Sequence, residues 1–357
     1  MSFLKNLKPN KPTASLEGYF ISMLAKSKFG KTTFAIDLAK EFYGTLDSTL
    51  LLATEIGYKT MNGVYAIPVT GFEYAEDETD KEQKGFMEVV DELIENKKDI
   101  PFRFIIIDTI TALERYAIAH TIRKANFQDQ PETRYADITD IPWGKGYNMV
   151  AEFIYSEIDR LKKAGFGVFI IGHEKSQKVK NKDGFEYDYT TFNVLGKTSN
   201  IIEREADMII YGDLLVEKGK DGKPVESRVL RFRSDGNILC GTRFRNFPAT
   251  IDNEPKKFLD AFKEAVLSLY DNDEKAVEVA VQEEEQKTEE KADRAIEKAN
   301  NSPEKLKEKI SEIIDGFERS TKKTLVPKFK ELLGNPDYKL CDDSELLKQV
   351  LDIVKNV

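Results

Sequence analysis

Residues 25–33 read AKSKFGKTT, directly after an apolar strand-like run and at the start of a helix-like one. They match G-x-x-x-x-G-K-[ST] except that Ala25 stands at the first position. Successive backbone N–H groups around Lys28 to Thr32 can wrap an anionic phosphate, and a helix N-terminus adds its dipole. Lys31 carries the charge that neutralises β- and γ-phosphates, and the Thr32 hydroxyl is a ligand for Mg²⁺. Ala25 narrows the turn's conformational freedom relative to Gly. The phosphate-contacting set is therefore Ala25, Lys26, Ser27, Lys28, Phe29, Gly30, Lys31, Thr32 and Thr33.

Three further expected strand ends carry polar groups. FIIID closes on Asp108, a carboxylate placed to hold the metal with Thr32. LLLATE puts Glu55 just after the strand that follows the phosphate-loop helix, where it can orient or deprotonate an attacking water. IIGHE presents His173 and Glu174 at the same edge. His173 is read either as a γ-phosphate sensor or as a hydrogen-bonded structural histidine, and Glu55 either as the base or as a solvated acid.

These groups need a sheet to hold them. From Gly18 to about Tyr270 strand-like and helix-like segments alternate, which predicts an α/β domain with a mostly parallel sheet. The strands are expected at 18–25, 48–54, 102–108 and 166–172, each nearly all apolar because helices cover both faces. Helices are expected over Lys31–Tyr43, Glu82–Asn96, Ile110–Ala125, Lys145–Ala164 and Pro255–Tyr270. Beyond Gly172 the DG pairs Asp183-Gly184, Asp221-Gly222 and Asp235-Gly236 predict hairpins, hence antiparallel strands at one edge of the sheet.

The chain has 357 residues and a formal net charge of −9, which excludes a globally basic nucleic-acid binder. The two cysteines, Cys240 and Cys341, have neither disulfide-framework nor zinc-site spacing. The N-terminus lacks the apolar run of a signal peptide, and no stretch approaches the roughly 20 apolar residues of a membrane helix. A cytoplasmic location without membrane contact is expected. Residues 1–17 read as a leader, 18–270 as the main domain and 271–302 as an acidic charged linker, disordered or a solvated helix. Residues 303–357 read as a small helical C-terminal domain with segments at 303–318, 320–333 and 344–356, begun by Ser302-Pro303.

The order of motifs resembles that of the RecA-like P-loop ATPases encoded by bacteriophages, which are similar to RecA and RadA recombinases and include single-strand annealing proteins. It runs through the phosphate loop, the strand-end Glu55, FIIID-T, a loop containing WGKGY, and IIGHE followed by a basic loop. The resemblance covers roughly residues 15–270. It implies a RecA-like P-loop NTPase fold, ATP and Mg²⁺ as cofactors, and ATPase activity in phage recombination, annealing, repair or replication in a bacterial host cytoplasm. Position by position it implies nucleotide contacts from 25–33, metal coordination by Thr32 and Asp108, catalysis by Glu55 and γ-phosphate sensing by His173. RecA proteins carry Gln at the sensor position, so His173 argues for the phage branch.

RecA-like proteins hold single-stranded DNA with two loops, which correspond here to about 126–146 and 174–197. The second begins KSQKVKNK, with Lys175, Lys178, Lys180 and Lys182, and continues through Phe185, Tyr187, Tyr189 and Phe192. Lysines can follow phosphates while aromatic faces stack bases. The alternative is a solvated hairpin whose aromatics pack on the sheet. Arg243 and Arg245, after the last strand, correspond to basic residues that reach a neighbour's γ-phosphate, which implies a homo-oligomer, ring or filament. Trp143 either stacks on a base or packs, and Tyr58 is placed to stack on the nucleotide base.

Two other functions share this core: a ring-forming helicase or helicase loader, and an ATP-gated non-catalytic scaffold whose tail recruits a partner such as a single-strand-binding or annealing protein. Residues 271–300 hold 11 acids and five bases, so two thirds of the net charge lies there. That acidic stretch is expected to compete with DNA for the lysines at 175–182.

Overall fold

In the computed structural model, residues 9–55, 57–74, 84–218 and 224–356 are described. The expected apolar runs are the central strands: β1 (Phe20–Ala25), β2 (Thr49–Ala53), β5 (Phe104–Asp108) and β6 (Gly167–Lys180). All of β1, β2 and β5 is buried, as near-continuous apolar composition requires. Two parallel strands lay outside the sequence expectation, β3 (Tyr65–Gly71) and β4 (Lys84–Gly85). β3 mixes exposed and half-buried residues and includes Pro68, so it lacks the apolar signature of a central strand.

The remaining strands are β7 (Glu186–Phe192), β8 (Met208–Lys218), β9 (Pro224–Arg231), β10 (Gly241–Thr242) and β11 (Thr250–Asp252). The sheet order is β11-β9-β8-β1-β6-β5-β2-β3-β4. β8 through β4 run parallel, while β9 and β11 continue antiparallel at one edge. The predicted α/β class, a mostly parallel sheet with an antiparallel extension, is what the chain adopts. Asp235-Gly236, however, does not join a hairpin: β10 pairs with β8, not with β9. Asp221-Gly222 lies outside the described residues.

Helices cover both faces. α1 (Lys31–Tyr43) and α6 (Pro255–Leu267) pack on one, through Phe34, Leu38, Phe258 and Phe262. On the other face lie α2 (Phe86–Glu95), α3 (Ile110–Asp129), α4 (Lys145–Lys163) and α5 (Gly196–Glu205). α1 starts and stops at the expected residues, closed by Gly44 in the left-handed region. α2 starts at Phe86 rather than Glu82, which is not among the described residues. Gly172 of β6 has no room for a side chain, since a Cβ there would lie 2.4 Å from the buried Phe192 ring.

The acidic stretch is a helix, α7 (Glu274–Asn300), capped by Asp273. It is not wholly solvated: Ala280, Ala292 and Ala299 are buried. Its acids pair with Lys11 and Lys98, and not with the lysines of 175–182. The expected competition with DNA for those lysines has no contact behind it in this conformation. α8 (Pro303–Asp315), α9 (Arg319–Leu333) and α10 (Ser344–Lys355) share a separate apolar core that includes Leu306, Ile310, Phe329, Leu347 and Val350.

Lys97, just past α2, is buried, and its Nζ finds no hydrogen-bond acceptor; it lies 3.6 Å from the centre of the Phe166 ring. Burial lowers its affinity for a proton, and the Glu17 carboxylate only partly offsets this. Between the depressed folded value and the ordinary lysine value of about 10.4, the unfolded chain binds the extra proton, so stability rises with pH across that window. Lys97→Met is expected to raise the melting temperature at pH 7, with the gain shrinking toward pH 10. Calorimetry at the two pH values checks it; a variant less stable at pH 7 would show that the ammonium is paired.

Candidate functional site: the phosphate loop and its neighbours

β1 ends at Ala25, level with His173 of β6 on one side and Gly212 of β8 on the other. Both neighbours continue beyond that level while β1 stops. β6 runs on into an antiparallel ribbon with β7, and β8 into one with β9. The phosphate loop therefore sits in a notch between two projecting ribbons, a feature that no local sequence signal announces.

Within the notch the loop has the geometry of an anion cradle. Lys28 and Gly30 adopt left-handed backbone, at φ 64° and 102°. Gly30 precedes α1, and no side chain caps that helix, so its first N–H groups have no side-chain acceptor. Lys31 is only 6% exposed, and its Nζ donates to the carbonyl oxygens of Ala25 and Lys26, both at 3.0 Å. Burial lowers the proton affinity of Lys31, opposed by the carboxylates of Asp108, Glu174 and Glu55. Phe29 is buried and packs against Gly212, where a Cβ would lie 2.6 Å from its ring.

The sheet places β6 between β1 and β5, so Asp108 is not on the strand next to the loop. It reaches the loop through α1 instead: the Thr32 hydroxyl donates to Asp108 Oδ2 at 2.6 Å. Burial raises the Asp108 carboxyl above its ordinary value, opposed by the Thr32 hydrogen bond and reinforced by Glu55. A hydroxyl and a carboxylate oxygen fit a hard cation such as Mg²⁺. A cation between them would restore the charge that burial disfavours.

Glu55 and His173 come together across β5. The Thr109 hydroxyl donates to Glu55 Oε1 at 3.0 Å, and His173 Nε2 lies 3.5 Å from Glu55 Oε2. Thr109 also caps α3 by accepting from the Ala112 N–H at 3.2 Å, so its rotamer is held from two sides. Thr109 is the threonine of FIIID-T, a position to which the sequence alone assigns no role. Glu174 turns toward Tyr211 of β8 and leaves Oε2 buried without a hydrogen bond.

Other sequence-stated residues lie elsewhere. Arg243 sits at the opposite end of β1: it donates to Asp207 Oδ1 at 3.0 Å, and Asp207 in turn accepts from the Phe20 N–H. With a six-residue β1 this is about 20 Å from its own loop. Arg245 is exposed in the same segment. Tyr58 packs against the α1 face of the core, and Trp143 is 93% exposed with left-handed backbone.

The lysines and aromatics of 175–192 do not form one surface. In the β6–β7 ribbon, Val179 pairs with Tyr187 and Gln177 with Tyr189, while Lys178 faces Asp188 and Lys180 faces Glu186. Strand alternation puts Tyr187 and Tyr189 on one face and both lysine–acid pairs on the other. Lys180 and Glu186 form an ion pair at 3.2 Å, and Lys175 is used on the Val194 carbonyl. Lys182 and Phe185, which is 70% exposed, remain at the tip.

An AAA domain family model matches residues 17–244, from just before β1 to just past β10. The chain belongs to the AAA domain family. AAA-type P-loop ATPase domains are a class that generally binds ATP with Mg²⁺ and hydrolyses it. No curated protein matches the chain in sequence. Among the described residues of this AAA domain protein, no helix is long and apolar enough to cross a membrane.

Proposed function

We propose that the protein is a RecA-like ATPase of phage type that acts on single-stranded DNA in recombination, annealing, repair or replication, as a head-to-tail homo-oligomer. The observation that carries this reading is the path of β6. One unbroken strand places His173 beside Glu55 and the loop, then continues as the ribbon whose tip bears Lys182 and Phe185. A strand so built couples the state of the nucleotide site to an exposed aromatic and basic tip.

In this mechanism Lys31 turns from the loop carbonyls to the phosphates, and Thr32 and Asp108 would hold the metal. Bound Mg²⁺ would neutralise the charge shared by β- and γ-phosphate oxygens. Glu55, held by Thr109, accepts a proton from the attacking water, and His173 reports the change to β6 through its contact with Glu55. Arg243 and Arg245 lie far from their own loop, which suits delivery to a neighbouring protomer, ring or filament.

ATP hydrolysis with and without a single-stranded oligonucleotide tests the reading. Stimulation in wild type, and loss of stimulation but not of basal turnover in Phe185→Ala/Lys182→Ala, are expected; unchanged stimulation would remove the ribbon tip from the DNA path. Particle shape with an ATP analogue and oligonucleotide is expected to be a filament or ring. The separate core of α8–α10 favours a second role, recruitment of a DNA-binding protein by the tail. In that case removing 303–357 abolishes capture of the partner while nucleotide binding persists.

A further inference from the structure

Arg228 lies on β9, opposite Leu214 and two positions beyond the level of Gly212, so it stands just above the end of β1. Its Nη1 donates to the carbonyl oxygen of Phe29 at 3.0 Å, and its guanidinium carbon is 6.0 Å from the centre of the Phe29 ring. A Cβ on Gly30 would lie 3.6 Å from the same Nη1, so Arg228 reaches the crest of the loop beside a residue without a side chain. The contact joins positions 199 apart in sequence.

Arg228 differs from several arginines of this chain in its charge environment. Arg231, three positions along β9, pairs with Asp213 and Asp235; Arg243 pairs with Asp207; Arg160 pairs with Asp91 and Glu157. Among the described residues no carboxylate pairs with Arg228, which has one hydrogen bond, to a backbone carbonyl. A guanidinium has five N–H donors, so four are left for other acceptors. An uncompensated, permanently charged fork at the rim of an anion cradle matches phosphate oxygens in both charge and geometry.

We propose that Arg228 is a phosphate-binding residue of the protomer's own nucleotide site, supplied by the β8–β9 ribbon: it fastens the loop through Phe29 and offers its free donors to the triphosphate. This rests on residues 25–33 being a nucleotide site. The ribbon is then part of the site rather than only the edge of the sheet, and β9 is the element that closes over bound phosphate.

The test is equilibrium binding of fluorescent ATP and ADP analogues, with adenosine as a competitor, to the full chain and to Arg228→Gln and Arg228→Lys. Arg228→Gln is expected to lose about tenfold or more in ATP affinity, less in ADP affinity and little for adenosine, with Arg228→Lys intermediate. The loss is expected to shrink at high salt. The melting temperature without nucleotide is expected to stay within a degree or two of wild type, because the residue is exposed. ATP affinity unchanged in Arg228→Gln, or equal losses for ATP, ADP and adenosine, would overturn the inference and leave the loop reading standing. Failure of the wild-type chain to bind any of the phosphorylated probes would overturn both.

Discussion

Lys31→Ala is expected to reduce ATP turnover by about 10³-fold or more, beyond the 10²–10³ typical of removing a single oriented donor. The side chain carries a full positive charge into a site already lined by Asp108, Glu174 and Glu55, each of which raises its proton affinity against the effect of burial. Without it, three carboxylates face the phosphates with no buried cation between. The same ammonium makes its hydrogen bonds to two backbone carbonyls. Removing a desolvated charge of that kind costs the fold little, so Lys31→Ala is expected to melt at or above the wild-type temperature. Phosphate release and calorimetry together decide: turnover within threefold of wild type would remove Lys31 from the chemistry, whatever the stability.

Glu55→Gln is expected to lower kcat by about 10²–10⁴-fold while nucleotide affinity stays the same or rises. The amide keeps an acceptor for the Thr109 hydroxyl and a polar partner for His173, so the site's geometry persists while the base is lost. It also removes a negative charge that raises the pKa of Asp108. Asp108 should then ionise more readily, which favours metal and nucleotide binding. Single-turnover hydrolysis and ATP affinity measured side by side separate the effects. A fall in affinity with kcat preserved would make Glu55 a binding group and move the base elsewhere, with Glu174, whose Oε2 is buried and unpaired, the first alternative.

The central strands and most helices were legible because their signal is local. β1, β2, β5 and the first half of β6 are apolar runs that end in polar or loop-forming residues, and α1 follows a motif whose spacing dictates a strand, a turn and a helix. The phosphate loop, Asp108 and Glu55 were legible for the same reason, each lying within one or two residues of a strand end, whereas His173, expected at such an end, lies inside β6, which runs on to Lys180. β3 was not, since its half-exposed residues and Pro68 give no period. Composition at 175–192 leaves open DNA contact by lysines and aromatics or a solvated hairpin, and only pairing in register separates lysines from tyrosines by face. α7 was read as solvated from its charge, yet three alanines spaced along it are buried.

The sequence by itself determined which groups are present at the carboxyl ends of the strands, because a strand followed by a loop delivers its last residue to that edge wherever the strand lies in the sheet. It also determined the α/β class, because helical and strand periods alternate along the chain. Only the tertiary structure decided the order of strands, and with it that β6 separates β1 from β5 and that His173 meets Glu55. It alone decided that β6 and β8 outrun β1, and that Arg228 arrives at the phosphate loop from a strand late in the domain. Strand order and ribbon length are set by long-range pairing and packing on the two core faces, and no residue-local preference encodes them.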